Sequence, residues 1–212
     1  MTGYSGGAVP TVWADALAPT YARELNVVGV AAGGIDASMP YVVAHIEGSP
    51  YFGGLIDALV SVDRAYPELN PYPLLNAKGL EYATSDGADA RGCGGGVGSD
   101  PFGTASEVTN YASTEELEEV PQVKFVMEKL NLDAPSAPVP TAPGFFYNST
   151  EDEVFRFAQV ESMVAKFCAG GDAVDFDKST GSHLEGLFKY FSPALEFLEG
   201  RFAGQSAPNT CT

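Results

Sequence analysis

The first seven residues, Met1-Thr2-Gly3-Tyr4-Ser5-Gly6-Gly7, constrain this chain more than any other stretch. They spell Gly-x-Ser-x-Gly and run at once into Ala8 to Leu17, a segment with helical spacing. Where a strand turns this abruptly into a helix, the serine at the turn is held in a strained backbone conformation. Small neighbours two residues away, here Gly3 and Gly7, accommodate it. The strain presents Ser5 Oγ outward. The helix aims its N-terminal amides and the positive end of its dipole at the same spot, so the Gly6 N–H is a natural donor to a developing oxyanion. Glycine-rich turns also produce this pattern by chance. A catalytic reading therefore needs an acid and then a histidine later in the chain, each on a loop after a late strand.

The chain after the turn alternates helix and strand. Val9, Val12, Trp13 and Leu17 give the first helix an apolar face, and Pro10 is tolerated because it falls in the first turn. The β-branched run Asn26 to Ala32, closed by Gly33-Gly34, reads as a buried parallel strand. From Asp36 to about Pro140 the pattern becomes helical, through Tyr41 to Ile46, Leu55 to Val62 and Val123 to Leu130, with Ser113-x-x-Glu116 as a capping box. A stretch of helix and loop set between two strands predicts an inserted cap or lid, so the expected organisation is core in 1–36, cap in 37–140 and core in 141–212. The glycine run Gly92 to Gly98 lacks the preceding strand, the lysine and the helix start that a phosphate cradle requires. His45 falls within an apolar helical stretch and reads as a cap histidine with a satisfied hydrogen bond.

Pro138, Pro140 and Pro143 mark the return to the core, and Gly144 to Asn148 reads as a second buried strand. Directly after it stands Glu151-Asp152-Glu153-Val154, where an acid belongs. Asp152 is the candidate, with Glu151 and Glu153 assigned to a solvated face. The sequon Asn148-Ser149-Thr150 sits at the end of this strand and is expected to stay unmodified. A helix over Phe157 to Phe167 and a strand over Ala173 to Phe176 lead to Gly181-Ser182-His183, just before a terminal helix over Leu184 to Phe202. Serine, acid and histidine thus occur in the order and at the places that an α/β-hydrolase sheet uses, with Ser5, Asp152 and His183 as the triad.

Composition narrows the partners. Eleven basic against 28 acidic residues give a net charge of −17, which argues against nucleic acid and anionic membrane surfaces. No apolar run reaches the length of a membrane span. The three cysteines have no metal-ligand spacing, so no metal is expected. Cys168 is expected to pair with Cys211, tying the end of a core helix to the C-terminal tail, with Cys93 left over. No signal peptide precedes the elbow, and a chain whose nucleophile is residue 5 is expected to be missing an N-terminal half.

The chain also resembles the secretory lipase family, the lipase-A-type triacylglycerol lipases of yeasts and actinobacteria, over essentially its whole length. The likeness is carried by GYSGGA at the start, AYPEL at Ala65 to Leu69, DEV at Asp152 to Val154, FCAGG at Phe167 to Gly171, GSH at Gly181 to His183 and the terminal GRFAG. The resemblance implies an α/β-hydrolase fold with a lid-bearing helical cap, no cofactor, secretion, and hydrolysis of long-chain acylglycerols and simpler esters, in the setting of a lipid-water interface. It assigns Ser5 as nucleophile, His183 as base and then acid, Asp152 as the group orienting His183, and Gly6 as an oxyanion donor. The family's earlier strands, signal peptide and second oxyanion donor have no counterpart here, so the chain looks like a C-terminal part. Alone it is expected to be poorly soluble and slow. A catalytically inert fragment and a serine peptidase of the same fold stay open as alternatives.

Overall fold

The computed structural model describes residues 1–85, 101–137 and 139–211. Cys93, Pro138 and the glycine run Gly92 to Gly98 lie outside the described residues. Four strands form one sheet in the order β1 (Thr2–Tyr4), β2 (Val30–Gly33), β3 (Gly144–Ser149) and β4 (Val174–Ser179). Every neighbouring pair is parallel, with Thr2 opposite Ala31, Val30 opposite Gly144 and Gly144 opposite Val174. Among the described residues the α-helices are α1 (Ala8–Tyr21), α2 (Met39–Ile46), α3 (Gly54–Ala65), α4 (Ala77–Thr84), α5 (Ala105–Val108), α6 (Thr114–Glu118), α7 (Pro121–Leu130), α8 (Phe157–Gly170) and α9 (His183–Phe202). None of the described helices is long and apolar enough to cross a membrane.

A parallel sheet needs both faces covered, and the alternation along its strands shows which helices do so. Val30, Ala32 and Phe146 pack with Ala8 and Val12 of α1 and with Val160, Met163, Val164 and Phe167 of α8. On the opposite face Ala31, Phe145 and Tyr147 pack with Tyr190, Ala194, Phe197 and Leu198 of α9. Burying a side chain such as Phe146 or Phe167 contributes about 1.5–3 kcal/mol. This is the α/β-hydrolase arrangement, a parallel sheet between two helical layers.

Several local expectations change. Residues 26–29 are not strand, because the β3 ladder opens with Val30 opposite Gly144, directly after Pro143, which has no N–H to extend it. β4 continues past Phe176 to Ser179, since β3 pairs with it along its whole length. In α1 the face against the sheet holds Ala8, Val12 and Ala18, while Leu17 is exposed. Asp15 takes the inward place instead. Its Oδ2 accepts from Thr141 N at 2.9 Å and Ala142 N at 3.1 Å, which ties α1 to the segment entering β3.

The chain divides into two compact units, residues 1–39 with 130–212, and residues 40–129. The second unit is helical, and its one bridge outside named strands pairs Leu75 with Thr109 among the described residues. The Glu47 carboxylate organises it, accepting from Ala105 N at 3.1 Å and Thr114 Oγ1 at 2.6 Å. The Ser113 cap is only half of the expected box. Ser113 Oγ accepts from Glu116 N at 3.4 Å, but the Glu116 carboxylate takes the amide of Ala112 at 2.9 Å rather than that of Ser113. His45 lies in the last turn of α2.

Candidate active site

Ser5 leaves β1 in the left-handed region, at φ +54°, and opens the single turn Ser5–Gly7 that feeds α1. A non-glycine residue held there carries strain of order 1–3 kcal/mol. The two flanking glycines are not equivalent. A Cβ on Gly3 would stand 2.2 Å from Gly7 O and 2.4 Å from Thr11 Oγ1, whereas a Cβ on Gly7 would meet open space. The expectation that both are sterically required holds for Gly3 alone, because only the residue entering the turn lies under the first turn of α1. Gly6 is exposed immediately beside Ser5.

Asp152 lies on the loop after β3 with its side chain fully buried. Oδ1 accepts from Val154 N at 2.9 Å and Phe155 N at 2.8 Å, which fixes the carboxylate plane and leaves Oδ2 for His183 Nδ1 at 2.8 Å. His183 is the first residue of α9, one earlier than expected. Ser182 caps the helix, its Oγ accepting from Glu185 N at 3.3 Å while the Glu185 carboxylate takes Ser182 N at 2.7 Å. The imidazole meets the Phe155 ring edge-on at 5.2 Å and the Tyr4 ring at 5.1 Å. Ser5, Asp152 and His183 therefore follow the carboxyl ends of β1, β3 and β4, on one edge of the sheet.

Glu151 is exposed, as expected of a solvated face, whereas Glu153 is half-buried, and both carboxylates are engaged. Glu151 accepts from Gly181 N at 2.9 Å and Glu153 from His183 N at 2.8 Å, so both pin the loop that delivers the histidine. The amides of that loop outnumber the acceptors their own turn can offer, and the adjacent acidic run supplies the rest. The Ser182–Glu185 box was legible as Ser-x-x-Glu in the sequence. The roles of Tyr4 and Glu153 had no signal there, since they depend on contacts spanning 179 and 30 residues. Asn148 is buried, with Oδ1 accepting from Ile35 N at 3.2 Å and Nδ2 donating to Ser149 O at 3.0 Å, so its amide is occupied inside the fold. Cys168 and Cys211 are joined, at the amino end of β4, away from this edge. No group of three metal-ligating side chains occurs among the described residues.

A family model described as secretory lipase matches residues 1–210. The chain belongs to the secretory lipase family. Among relatives, it is 28% identical to a secreted triacylglycerol lipase of Malassezia globosa, covering 99% of this chain and 47% of that protein. It is also 28% identical to lipase A of Moesziomyces aphidis, covering 100% of this chain and 46% of the relative. The solved structure of Candida antarctica lipase A superposes with a TM-score of 0.85 at 26% identity, over 99% of this chain and 50% of that one. The chain spans about half the length of the curated relatives it matches. This family member thus carries, in that span, the elbow, the buried acid and the histidine loop of one sheet edge.

Proposed function

We propose that this chain bears the catalytic residues of a secreted lipase or carboxylic-ester hydrolase that acts on acylglycerols and simpler esters at a lipid-water interface. The observation that carries the reading is the Asp152 Oδ2 to His183 Nδ1 hydrogen bond of 2.8 Å, on the sheet edge where Ser5 sits in the left-handed conformation. Ser5 Oγ attacks the ester carbonyl carbon and its proton passes to His183 Nε2. Asp152 holds the Nδ1–H and stabilises the imidazolium. The carbonyl oxygen becomes an oxyanion facing the Gly6 N–H. The imidazolium then protonates the departing alcohol. Water attacks the acyl-enzyme, giving its proton to His183, and the acid leaves as Ser5 regains its hydrogen. Secretion fits the Cys168–Cys211 disulfide, since such bonds persist in oxidising compartments.

A fluorophosphonate probe tests the reading. The expected result is labelling of Ser5 that is lost in Ser5→Ala and reduced roughly 10³-fold or more in His183→Ala, with His45→Ala labelled as the parent. Labelling unchanged in Ser5→Ala, or none in the parent, overturns it. Faster cleavage of an aminopeptidase-type amide than of a medium-chain ester would instead assign a peptidase.

A further inference from the structure

His183 is gripped at three points, and only one is its ring. Asp152 takes Nδ1, Glu153 takes the backbone N–H, and the backbone carbonyl accepts from the hydroxyl of Tyr4. Tyr4 is the residue before Ser5. We propose that Tyr4 is a positioning residue that ties the strand bearing the nucleophile to the helix bearing the base, so that one side chain sets Ser5 Oγ against His183. The proposal rests on the reading of Ser5 and His183 given above.

The surroundings of Tyr4 are shaped for this tie. Its ring stacks on Tyr147 at 6.0 Å and lies 5.1 Å from the imidazole. Two glycines leave it room. A Cβ on Gly186 would stand 2.6 Å from the Tyr4 hydroxyl, and one on Gly34 would stand 2.6 Å from Tyr4 Cζ and 2.8 Å from His183 Cε1. Burial raises the phenol above its ordinary range, Asp152, Tyr147 and Glu153 add to this, and the Leu187 N–H works the other way. The hydroxyl thus stays a proton donor wherever an esterase would work. The tie reaches from β1 past β2 and β3 to the loop after β4 that carries His183.

The test compares Tyr4→Phe, which keeps the ring and removes the O–H, with the full 212-residue parent. Three readouts are taken: thermal melting, solvent exchange of His183 Nδ1–H in ¹⁵N-histidine protein, and the rate of Ser5 phosphonylation. The exchange signal is assigned by its loss in His183→Gln. We expect a nearly unchanged melting temperature, exchange faster by roughly tenfold, and phosphonylation slower by roughly 10- to 100-fold. Gly186→Ala, which displaces the hydroxyl without removing it, should change exchange and labelling in the same direction. A purely structural Tyr4 would lower the melting temperature and leave exchange alone, and that result overturns the proposal. If the parent is not labelled, the esterase reading fails, and the exchange measurement still decides whether Tyr4 positions His183.

Discussion

Gly3 and Gly7 flank the same serine but meet different surroundings, and substitution should separate them. Gly3→Ala drives a methyl into the Gly7 carbonyl, at the cap of α1, and the Thr11 hydroxyl in its first turn. The expected cost is about 1–3 kcal/mol, read as a lower melting temperature. Gly7→Ala enters open space at φ −82° and should stay within about 0.5 kcal/mol of the parent. Asp172 makes a second residue-scale prediction. Burial, and then the neighbouring Asp15 carboxylate, push its carboxyl up to about 7. A raised carboxyl binds a proton in the folded state that the unfolded chain has released. Its stabilising contribution is therefore intact below the unfolded value near 4 and is lost as pH rises through about 7. Asp172→Asn should leave melting nearly unchanged at acid pH and raise stability above neutrality by on the order of 1–3 kcal/mol. An equal effect at both ends of a pH-melting series would refute the assignment.

Among the elements, the C-terminal tail depends on tertiary anchors. Cys211 is bonded to Cys168 near the end of α8, and the tail hydrogen-bonds β4 through Thr210 N to Val174 O at 2.7 Å and Phe176 N to Thr210 Oγ1 at 2.9 Å. The bridge spans 43 residues, which the chain-entropy model values at about 4 kcal/mol. Cys211→Ser, or reduction, should lower the denaturation midpoint accordingly in a urea titration. Helix α9 shows what periodicity can and cannot reveal. Its apolar residues fall into two stripes. Tyr190, Ala194, Phe197 and Leu198 lie against the sheet, while Leu184, Phe188, Phe191, Leu195 and Phe202 are exposed. Hydropathy alone makes the stripes equivalent. The inward one was selected by the aromatic surface of Phe145 and Tyr147, residues of a strand far earlier in the chain.

Over the whole molecule, two opposing features govern solution behaviour. The net charge of −17 makes copies repel, and the outward stripe of α9, with Phe188 73% and Phe191 60% exposed, makes them adhere. In about 1 M salt, where electrostatic reach falls to ~3 Å, adhesion should win. Sedimentation is expected to show larger species appearing with salt. A Phe188→Lys, Phe191→Lys double variant should suppress them with melting unchanged. Salt-independent sedimentation of the parent would show that the stripe does not govern solubility.

Features legible along the chain are local ones. The Gly-x-Ser-x-Gly turn, the existence of a buried strand ending at Gly33, the strand Gly144 to Asn148, the chain order of Ser5, Asp152 and His183, and the family likeness all rest on residues close together or on their order. The pairing of Cys168 with Cys211 was also legible, since one sits at the end of a helix and the other in a tail free to reach it. Other features exist only once distant segments meet. Where β2 begins, why Asp15 rather than Leu17 faces inward, and which glycine beside Ser5 is indispensable depend on partners that other segments supply. Glu151 and Glu153 read as a solvated face, and nothing in the sequence marked Tyr4. The two carboxylates support His183 because a helix start and the loop before it leave amides without intrahelical acceptors, and Tyr4 does so by adding a donor to the His183 carbonyl from a strand the fold brings alongside.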